Sequence, residues 1–435
     1  MVTDPDLRAW GRLPVTDQTN QQLSRTIALP QRNGKVLPRG MGRSYGDVCI
    51  TLGGTLWLTQ GLDRMLHFDP ETGILDCEPG VLLGDIQRIM IGQGWALPVT
   101  PGSQFVSVGG AIANDVHGKN HHAQGSFCDH VNEITLHRTD GEVIVCGPEV
   151  SPEWFSATAG GMGLTGVIRG AKLRLMPIIG PWLDCEKISF NGLADFFSLC
   201  DTSEVGWAYT VSWIDGLSGR NVRGLFMRAN SISQPAVNTC ELPQKTTHTL
   251  PFPSPISIIN TLSVRAFNGL YFHAGKWTAG HKKIHYQQFF YPLDAIGNWN
   301  QMYGPRGFFQ FQCVLPSSDR ELVTGLILDE IKASGQGSFL VVLKTFGDRP
   351  SPGLMSFSQA GVTLAMDFTN LGARTIALLA RLHAIVADAK GRIYPAKDAQ
   401  MPRALFEAGY PNLSKFRHFR DPGISSALSQ RLLGD

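Results

Sequence analysis

Two glycine-rich segments, about sixty residues apart, constrain this chain more than any other feature. The first is Arg39-Gly-Met-Gly-Arg-Ser-Tyr-Gly-Asp47, and the second is Pro101-Gly-Ser-Gln-Phe-Val-Ser-Val-Gly-Gly-Ala-Ile-Ala-Asn-Asp-Val-His-Gly118. Glycine allows positive φ and a close approach of the backbone to a ligand, so successive peptide N–H groups can surround a phosphate. A glycine-rich segment of this kind on its own is most often an ordinary tight turn. Together the two segments predict two loops that clamp a pyrophosphate from opposite sides.

The composition indicates a folded protein that is larger than one ordinary core. A length of 435 residues predicts two domains, and 43% hydrophobic with 17% charged residues is typical of a globular chain. The net charge is only +2, and no lysine- or arginine-rich run is present. Because binding to nucleic acid depends on neutralising its phosphates, we expect no nucleic-acid partner.

The N-terminal residues and the cysteines bear on the location of the protein. The first residues, Met-Val-Thr-Asp-Pro-Asp-Leu-Arg, lack the apolar centre of a secretory signal. No uninterrupted apolar run approaches the ~20 residues needed to cross a membrane. Eight cysteines without a C-x-x-C pair suit free thiols in a reducing compartment. We expect a protein of the cytoplasm or of the inner membrane surface, and a periplasmic location stays open.

Short apolar runs alternate with turns from residue 35 to residue 178, which predicts strands and a few helices. The run Val81–Gly94 has apolar residues at helical spacing and ends at a glycine, so it predicts a helix, as does Pro152–Thr158. The predicted strands of this part are Thr55–Leu58, Leu75–Glu78, Glu133–His137, Val143–Val145 and Val167–Leu175.

The pattern changes near Pro177–Pro181, where longer predicted strands begin. Two strongly periodic helices follow, Asp319–Ala333 and Ala373–Lys390, and Gly391 is expected to stop the second. This mixture of strands and helices is typical of an α+β substrate domain. The final segment, from Arg392, predicts one short helix. The predicted strands are Trp207–Trp213, Gln287–Tyr291, Gly307–Leu315 and Gly337–Phe346.

One apolar stretch between these elements is broken by prolines. It reads Leu250-Pro-Phe-Pro-Ser-Pro-Ile-Ser-Ile-Ile-Asn260 and continues to Phe272. Proline removes a backbone donor and fits poorly inside helices and sheets, so we expect irregular structure here. Two interpretations stay open: a buried connection, or a mobile flap that shields a lipid tail or touches a membrane.

The glycine-rich segments and a series of later motifs together resemble one family of flavoproteins. Loop, loop and Asp-Val-His-Gly in this order are similar to the FAD domain of the vanillyl-alcohol-oxidase/PCMH superfamily. The later motifs resemble one branch, the decaprenylphosphoryl-β-D-ribose 2′-oxidase family. They are His117-Gly-Lys-Asn-His-His122, Gly125-Ser-Phe127, Gly160-Gly-Met-Gly-Leu-Thr-Gly166, Tyr291-Pro-Leu-Asp294, Trp299-Asn300, Tyr303-Gly-Pro305 and Tyr394-Pro-Ala-Lys-Asp398.

This resemblance implies an α+β, two-domain PCMH-type FAD-binding fold with an antiparallel-sheet substrate domain. Residues 1–178 would form the FAD-binding domain, residues 179–390 the substrate domain, and residues 391–435 would complete the FAD domain. The implied reaction oxidises the 2′-hydroxyl of a polyprenyl-phosphoryl-β-D-ribose to the 2′-keto sugar, the first half of epimerisation to the arabinose donor of cell-wall arabinan. A separate NAD(P)H-dependent keto-reductase would complete it, and peripheral membrane contact would follow from the lipid.

The resemblance also places three residues at the reacting centre. Lys397 can hold positive charge against the anionic reduced flavin or hydrogen-bond the reacting hydroxyl, although most lysines lie on the surface. Tyr394 would help to hold the isoalloxazine or the substrate. His117 ranks after Lys397, because a lone loop histidine is more often structural. The histidines between residues 117 and 130 lack the spacing of zinc ligands, so we expect no metal.

Further binding residues come from the strand pattern and from the same resemblance. Gln310 and Gln312 alternate with phenylalanines, so both face one side of a strand, either towards sugar hydroxyls or towards solvent. The predicted substrate-binding residues are Tyr45, Lys119 (which can meet a phosphate), Trp213, Gln310, Gln312, Lys344, Ala365, Asp367 and Lys397. The predicted FAD-binding residues are Arg39, Gly40, Met41, Gly42, Arg43, Ser44, Tyr45, Gly46, Asp47, Gly102, Ser107, Val108, Gly109, Gly110, Asn114, Asp115, His117, Gly118, Ile168 and Tyr394.

Two positions matter for chemistry. Many relatives in the wider superfamily bind FAD covalently through a histidine where this chain has Arg43, and the branch resembled also lacks that link, so we expect noncovalent FAD. Mycobacterial members of the branch carry a cysteine where this chain has Ala365, and nitroaromatic inhibitors of the family trap that cysteine.

Two alternatives stay open: an alditol or aldonolactone-type FAD oxidase acting on a soluble sugar, and a flavin-binding protein without turnover.

Overall fold

Two antiparallel sheets dominate the structure. The computed structural model describes residues 7–14, 17–26, 28–232, 248–249 and 254–434. Within these ranges the strands form a five-stranded sheet, here the small sheet, and an eight-stranded sheet, here the large sheet. Helices pack against both, so the predicted α+β class is confirmed. None of the described helices is long and apolar enough to cross a membrane.

The small sheet carries the N-terminal core. Its buried residues, such as Ile134 and Leu173, pack against Ile86 and Ile112 of two helices. Every pair of neighbouring strands in it is antiparallel. In spatial order its strands are Met65–Asp69, Ile74–Cys77, Val167–Arg174, Val131–His137 and Val143–Cys146. A separate parallel set consists of Thr19–Gln22, Thr55–Leu58 and Val36–Arg39.

The large sheet contains strand Phe308–Leu315 next to one of its edges, and all eight residues of this strand are buried. Phe309 and Phe311 belong to the core that includes helices on one face of the sheet. Gln310 and Gln312 lie on the other face, as the alternation predicts. In spatial order the strands are Gly280–His285, Trp182–Asn191, Arg223–Ser231, Tyr209–Ile214, Val341–Phe346, Gly361–Thr369, Phe308–Leu315 and Arg392–Ile393, and all neighbours are antiparallel.

Short pairings and helices connect these sheets. Met176–Pro177 pairs with Trp95–Ala96, and His248–Thr249 pairs with Ile296–Gly297. The α-helices of the described ranges are Leu83–Met90, Val108–Ala113, His121–Gln124, Pro152–Thr158, Leu193–Ser203, Thr261–Trp277, Tyr286–Phe290, Arg320–Ser334, Ala373–Asp388, Arg403–Gly409, Leu413–Arg417 and Ala427–Leu433. The 3-10 turns are Asp47–Cys49, Ile91–Gln93, Phe127–His130, Pro292–Ala295 and Trp299–Tyr303.

Two predicted elements are wrong. Gln287–Tyr291 is not a strand, because Tyr286–Phe290 forms a short helix that buries Tyr286, Phe289 and Phe290 at helical spacing. The expectation of irregular structure up to Phe272 fails from residue 261, where a 17-residue helix begins. Asn260 caps that helix by accepting from the peptide N–H groups of residues 262 and 263, so it starts directly after the last proline-broken residues. Residues 250–253 of the predicted stretch lie outside the described ranges.

The C-terminal segment joins both sheets and contains more helix than predicted. Arg392–Ile393 still pairs with the large sheet, and three helices follow instead of one. The helix Ala373–Asp388 ends earlier than expected, and Lys390, not Gly391, takes the left-handed conformation there, with φ +54°. Beyond Ile393 the chain contacts the first glycine-rich loop, where Tyr45 N–H donates to Ala396 O at 2.9 Å. The division into a cofactor domain and a substrate domain stays a prediction.

Candidate active site

A cavity of about 500 Å³ lies between the glycine-rich loops and the free face of the large sheet. Its wall combines residues that are far apart in sequence, from the first loop to the C-terminal segment. This volume is in the range of sites that enclose small organic ligands. Apolar wall residues are joined by a few polar groups, so the cavity can hold a large ligand and orient a reacting group on it.

The first glycine-rich loop offers unpaired backbone donors to this cavity. Gly40–Ser44 line the wall, and their peptide N–H groups meet no acceptor among the described residues. Gly42 has φ +61°, and a Cβ there would lie 2.2 Å from the Arg39 guanidinium. Gly40 abuts the second loop, since a Cβ on it would lie 2.3 Å from Ser107 Oγ. The loop is therefore held as an open cradle of N–H groups, which suits a phosphate.

The second glycine-rich loop pairs several of its N–H groups within the fold. It runs into the helix Val108–Ala113, but the first N–H groups of that helix are already paired. Val108 donates to Val81 O at 2.9 Å, Gly109 donates to Pro79 O at 2.8 Å, and Gly110 donates to Ser107 Oγ at 3.4 Å. The first two contacts fix the start of the helix to the backbone of Pro79 and Val81, and Val81 belongs to the core of the small sheet. Within the second loop, the N–H groups of Gly102 and Ser103 meet no acceptor among the described residues, and both residues line the cavity. The two-loop pyrophosphate clamp stays a prediction.

His117 is held between two polar side chains of the large sheet. Lys344 Nζ lies 2.9 Å from His117 Nδ1 and also donates to Gly118 O. The Gln312 amide lies 3.0 Å from His117 Nε2. Burial and then the neighbouring Lys344 keep the pKa of His117 well below its usual value, so the imidazole is neutral. A Lys344 ammonium donating to Nδ1 leaves the imidazole proton on Nε2, for which the Gln312 amide oxygen is the acceptor after rotation of the amide.

Lys397 reaches the cavity from the C-terminal segment. Its Nζ lies 3.8 Å from the centroid of the Tyr45 ring. Burial lowers the pKa of Lys397 to about 7, although the nearby Asp367 carboxylate opposes that shift. Asp367 is itself buried, which raises its pKa to about 7, and Gln310 Nε2 donates to it at 2.6 Å. Near neutral pH Lys397 can therefore exist as an amine or as an ammonium, which suits a group that accepts a proton.

Two further lysines add positive charge to the same cavity. Burial lowers the pKa of Lys344 to about 7, helped by Lys119, and burial lowers that of Lys119 to about 8. The Lys119 ammonium donates to Phe289 O and lies 4.6 Å from the ring centroid of that residue. None of the three cavity lysines forms a salt bridge with a carboxylate within the described ranges. An anionic ligand would supply the missing counter-charge.

Comparison with known proteins agrees with this geometry. The family model described as "FAD binding domain" matches residues 14–147. Decaprenylphosphoryl-beta-D-ribose oxidase of Mycolicibacterium smegmatis is 32% identical, and the match covers 99% of this chain and 98% of that protein. The chain belongs to the decaprenylphosphoryl-β-D-ribose oxidase family. An uncharacterized protein of Streptomyces coelicolor is 29% identical over 81% of this chain and 100% of its own length.

More distant relatives do not favour the alternative of a lactone oxidase. L-gulonolactone oxidase of Mus musculus is 31% identical, but the match covers only 34% of this chain and 33% of that enzyme. Membership of the decaprenylphosphoryl-β-D-ribose oxidase family, with the FAD-binding domain, makes this protein an FAD-dependent oxidoreductase. The residues present fit FAD, since the unpaired N–H groups of the first loop and the long cavity provide for its phosphates and its ring system.

Most residues predicted for the site of this family member lie on the cavity wall. Of the predicted substrate residues, all but one line it, and the exception is Asp367, which lies behind Gln310. The predicted residues found on the wall are Arg39, Gly40, Met41, Gly42, Arg43, Ser44, Tyr45, Gly102, Ser107, Gly109, Gly110, Asn114, His117, Gly118, Lys119, Ile168, Trp213, Gln310, Gln312, Lys344, Ala365, Tyr394 and Lys397.

Four predicted FAD-binding residues lie off the cavity wall, and each contacts other parts of the fold. Asp47 is buried and pairs with Arg431, and a Cβ on Gly46 would lie 1.6 Å from the backbone oxygen of residue 398. Val108 is fully buried in the core of the small sheet. Asp115 is fully buried and accepts from two serine hydroxyls and from the peptide N–H of residue 128. Motif resemblance could not separate these supporting residues from those that face the cavity.

Several wall residues were missed. Trp10 stacks with Arg43, whose guanidinium carbon lies 4.1 Å from a ring centroid of Trp10. Asp294 accepts from the peptide N–H of residue 104 at 2.7 Å and so ties the large-sheet half to the second loop. Phe267 and Tyr271 line the cavity from the unpredicted helix. Asp294 could have been predicted as a wall residue, because it lies in a motif that carries the family resemblance. The isolated Trp10 belongs to no such motif.

Proposed function

We propose that this enzyme oxidises the 2′-hydroxyl of a polyprenyl-phosphoryl-β-D-ribose to the corresponding 2′-keto sugar. This oxidation would be the first half of an epimerisation that leads to the arabinose donor. The M. smegmatis relative, matched over nearly its whole length, carries a name that specifies decaprenylphosphoryl-β-D-ribose.

The observation that carries the proposal is the pair of buried cavity lysines, Lys119 and Lys344, neither of which has a carboxylate nearby within the described ranges. Positive charge in a site shielded from water is costly unless an anion neutralises it. Lys119 and Lys344 suit the phosphate diester of the substrate, while Lys397 suits negative charge on a reduced cofactor. A soluble alditol has no charge to offer the first two lysines, so the phosphorylated substrate fits this cavity better.

The side chains around Lys397 suit the removal of the hydroxyl proton. FAD, when bound, supplies the acceptor for the hydride that leaves the carbinol carbon. With a pKa of about 7, the Lys397 amine can accept the hydroxyl proton and then remain as an ammonium close to the developing negative charge. The tyrosine ring beneath it, that of Tyr45, favours the cationic form through its π face.

The large sheet would read the sugar. Gln310 and Gln312 extend from one strand, and Gln312 is fixed by contacts with His117 and with Thr363 Oγ1 at 3.4 Å. Amides can donate to and accept from vicinal hydroxyls, so a fixed pair suits a pentose ring. His117 is neutral and has partners at both nitrogens, so we assign it to positioning the sugar and not to accepting its proton.

Two partners are part of the proposal. A separate NAD(P)H-dependent reductase is proposed to act on the keto product, because that product must gain a hydride to become the epimeric alcohol. The lipid tail of the substrate requires peripheral contact with the inner membrane. The cofactor is proposed to be noncovalent, since Arg43 occupies the position of the linking histidine.

An anaerobic flavin spectrum tests the proposed substrate. The purified holoenzyme is mixed with a polyprenyl-phosphoryl ribose and, separately, with free alditols and aldonolactones. We expect the visible flavin band to bleach with the phosphorylated lipid sugar only. Bleaching with an alditol or an aldonolactone and not with the lipid sugar would instead support the alternative oxidase.

A further inference from the structure

The helix Thr261–Trp277 is apolar on two sides, although only one side is buried. Val264 and Phe272 lie in the core, and a Cβ on Gly275 would lie 2.1 Å from Leu225, so this side packs tightly on the large sheet. On the other side Leu262 is 79% exposed and Trp277 is 91% exposed. An amphipathic helix normally buries its apolar side and exposes its polar side, so a second, exposed apolar side indicates a partner.

The exposed apolar residues form one line along this helix. Leu262, Ala266, Leu270 and Trp277 follow each other at intervals of four, four and seven residues, which places them on a single face. Leu270 is 75% exposed. We call Leu262, Leu270 and Trp277 the apolar stripe. His273 lies on the same face between Leu270 and Trp277 and is also exposed. An exposed, mainly apolar helix face of this kind indicates an interaction site.

The helix and the strand that follows it expose basic side chains, while the adjacent strand Trp182–Asn191 places Asp184 and Glu186 opposite Lys283 and His281. Residues 254–293 contain no aspartate or glutamate. The same stretch exposes Arg265, Lys276, Lys282 and Lys283. An apolar helix face with a terminal tryptophan and basic neighbours is typical of helices that lie in the interface of an anionic bilayer.

The same helix also forms part of the cavity wall. Phe267 and Tyr271, one turn apart, line the cavity and stack with ring centroids 5.6 Å apart. Tyr271 also contacts Trp213 of the large sheet, with centroids 4.8 Å apart. The apolar stripe is therefore continuous, through these rings, with the site at which the ribose would react.

We propose that the apolar stripe docks this protein on the surface of an anionic lipid bilayer. Its leucines and tryptophan enter the boundary of the acyl chains, and the neighbouring lysines and arginine contact lipid phosphates. Docking in this orientation brings the Phe267–Tyr271 side of the cavity to the membrane. The benefit for catalysis rests on the proposed function, because only a lipid-linked substrate needs that path, but the binding itself does not.

Vesicle flotation of the full-length holoenzyme tests this proposal. The vesicles contain either phosphatidylcholine alone or phosphatidylcholine with phosphatidylglycerol. We expect binding to the phosphatidylglycerol vesicles, weakened by added salt because the attraction of the basic residues is screened. The variant Leu262→Gln/Leu270→Gln/Trp277→Gln should lose about tenfold or more of that binding, since its apolar contact area is removed.

A matched control comes from exposed apolar residues on other elements. Val205 is 88%, Leu322 60% and Val143 51% exposed, so a variant with glutamine at all three changes the same number of exposed apolar side chains. The affinity of this control variant for the vesicles should stay within about twofold of that of the unchanged protein, because the apolar area of the stripe is intact. Retained FAD and an unchanged thermal midpoint establish that both variants fold.

Three results would contradict docking by the stripe. Equal binding by the stripe variant and the control variant would show that the stripe is not the contact. If the unchanged protein binds neither kind of vesicle, the proposal is wrong. It is also wrong if the unchanged protein is a dimer in solution and only the stripe variant abolishes that dimer. The proposed function fails separately, when the lipid sugar leaves the flavin oxidised, because vesicle binding requires no turnover.

Discussion

Lys397 lies directly over the ring of Tyr45, with Nζ 3.8 Å from its centroid. The lysine belongs to the C-terminal segment and the tyrosine to the first glycine-rich loop, and the peptide N–H of Tyr45 donates to Ala396 O, next to Lys397. The contact therefore couples the proposed proton acceptor to the loop that offers N–H groups to a phosphate. It also holds the amine in a buried position, where its pKa is about 7.

Lys397→Met tests the role of that amine. Methionine nearly keeps the side-chain length but can neither accept a proton nor carry a charge. Flavin reduction by the substrate, followed by rapid mixing, should slow by roughly a hundredfold or more. FAD content should be unchanged, because the N–H groups of the first loop are untouched. The exposed Lys415→Met is the matched control, and a wild-type reduction rate in Lys397→Met would transfer the catalytic role to His117.

His117→Ala should slow flavin reduction less than Lys397→Met does, by roughly tenfold. The imidazole is neutral and engaged by Lys344 and Gln312, so its loss disturbs the position of the sugar rather than the proton acceptor. The concentration of substrate that gives half-maximal reduction should rise in the same rapid-mixing series. A loss equal to that of Lys397→Met would show that His117 takes part in the proton transfer.

FAD should leave the polypeptide entirely on denaturation. Arg43 occupies the position of the linking histidine, and its guanidinium stacks on Trp10 instead of presenting a nucleophile. After treatment with acid or SDS, all yellow colour should appear in the protein-free filtrate. Fluorescence that migrates with the protein band on a denaturing gel would contradict this and would revive the covalent alternative.

Nitroaromatic compounds of the benzothiazinone type should bind, if at all, without forming an adduct. Ala365 lies on the cavity wall beside Gln312, its partner on the neighbouring strand, and an alanine side chain has no nucleophilic atom. Intact-mass spectrometry after turnover should show the unmodified chain. Ala365→Cys should gain the mass of the inhibitor, which serves as the positive control. An adduct on the unchanged protein would place another cysteine within reach of the inhibitor.

Binding of a phosphate-bearing ligand should take up protons at alkaline pH. The pKa of Lys344 is about 7 and that of Lys119 about 8, so at about pH 8.5 both amines are mostly neutral in the free protein. A nearby anion favours the ammonium form and raises each pKa, so binding draws roughly one proton from the buffer. Calorimetric titration in two buffers of different ionisation enthalpy measures this uptake. Lys344→Met should reduce it, whereas unchanged or released protons would contradict the assignment of the phosphate to these lysines.

Local sequence patterns predicted much of the fold but could not separate similar apolar runs. The strand Phe308–Leu315 was found because its glutamines and phenylalanines alternate. Tyr286–Phe290 was mistaken for a strand because a short aromatic run satisfies both periodicities. The sequence pattern does not predict the helix from Thr261, because the prolines before it indicate irregular structure, whereas the Asn260 cap starts a regular helix directly after them.

The site was predictable where a motif faces the cavity and unpredictable where contact depends on the tertiary fold. Lys397 and the first loop were identified from motifs, and both lie on the wall. Asp47 was assigned to FAD by the same reasoning, but it pairs with Arg431, which lies 384 residues away. No local pattern reveals such a partner. The paired N–H groups of Val108 and Gly109 were missed for the same reason, since their acceptors belong to another turn.

The salt bridge between Asp47 and Arg431 has a consequence for biogenesis. The first loop leaves the ribosome early, yet Arg431, which also pairs with Asp398, is translated 384 residues later. Throughout that interval the first glycine-rich loop of the nascent chain lacks its contact with Arg431. We therefore expect stable cofactor loading to be a late event and chains interrupted before this arginine to emerge without their flavin.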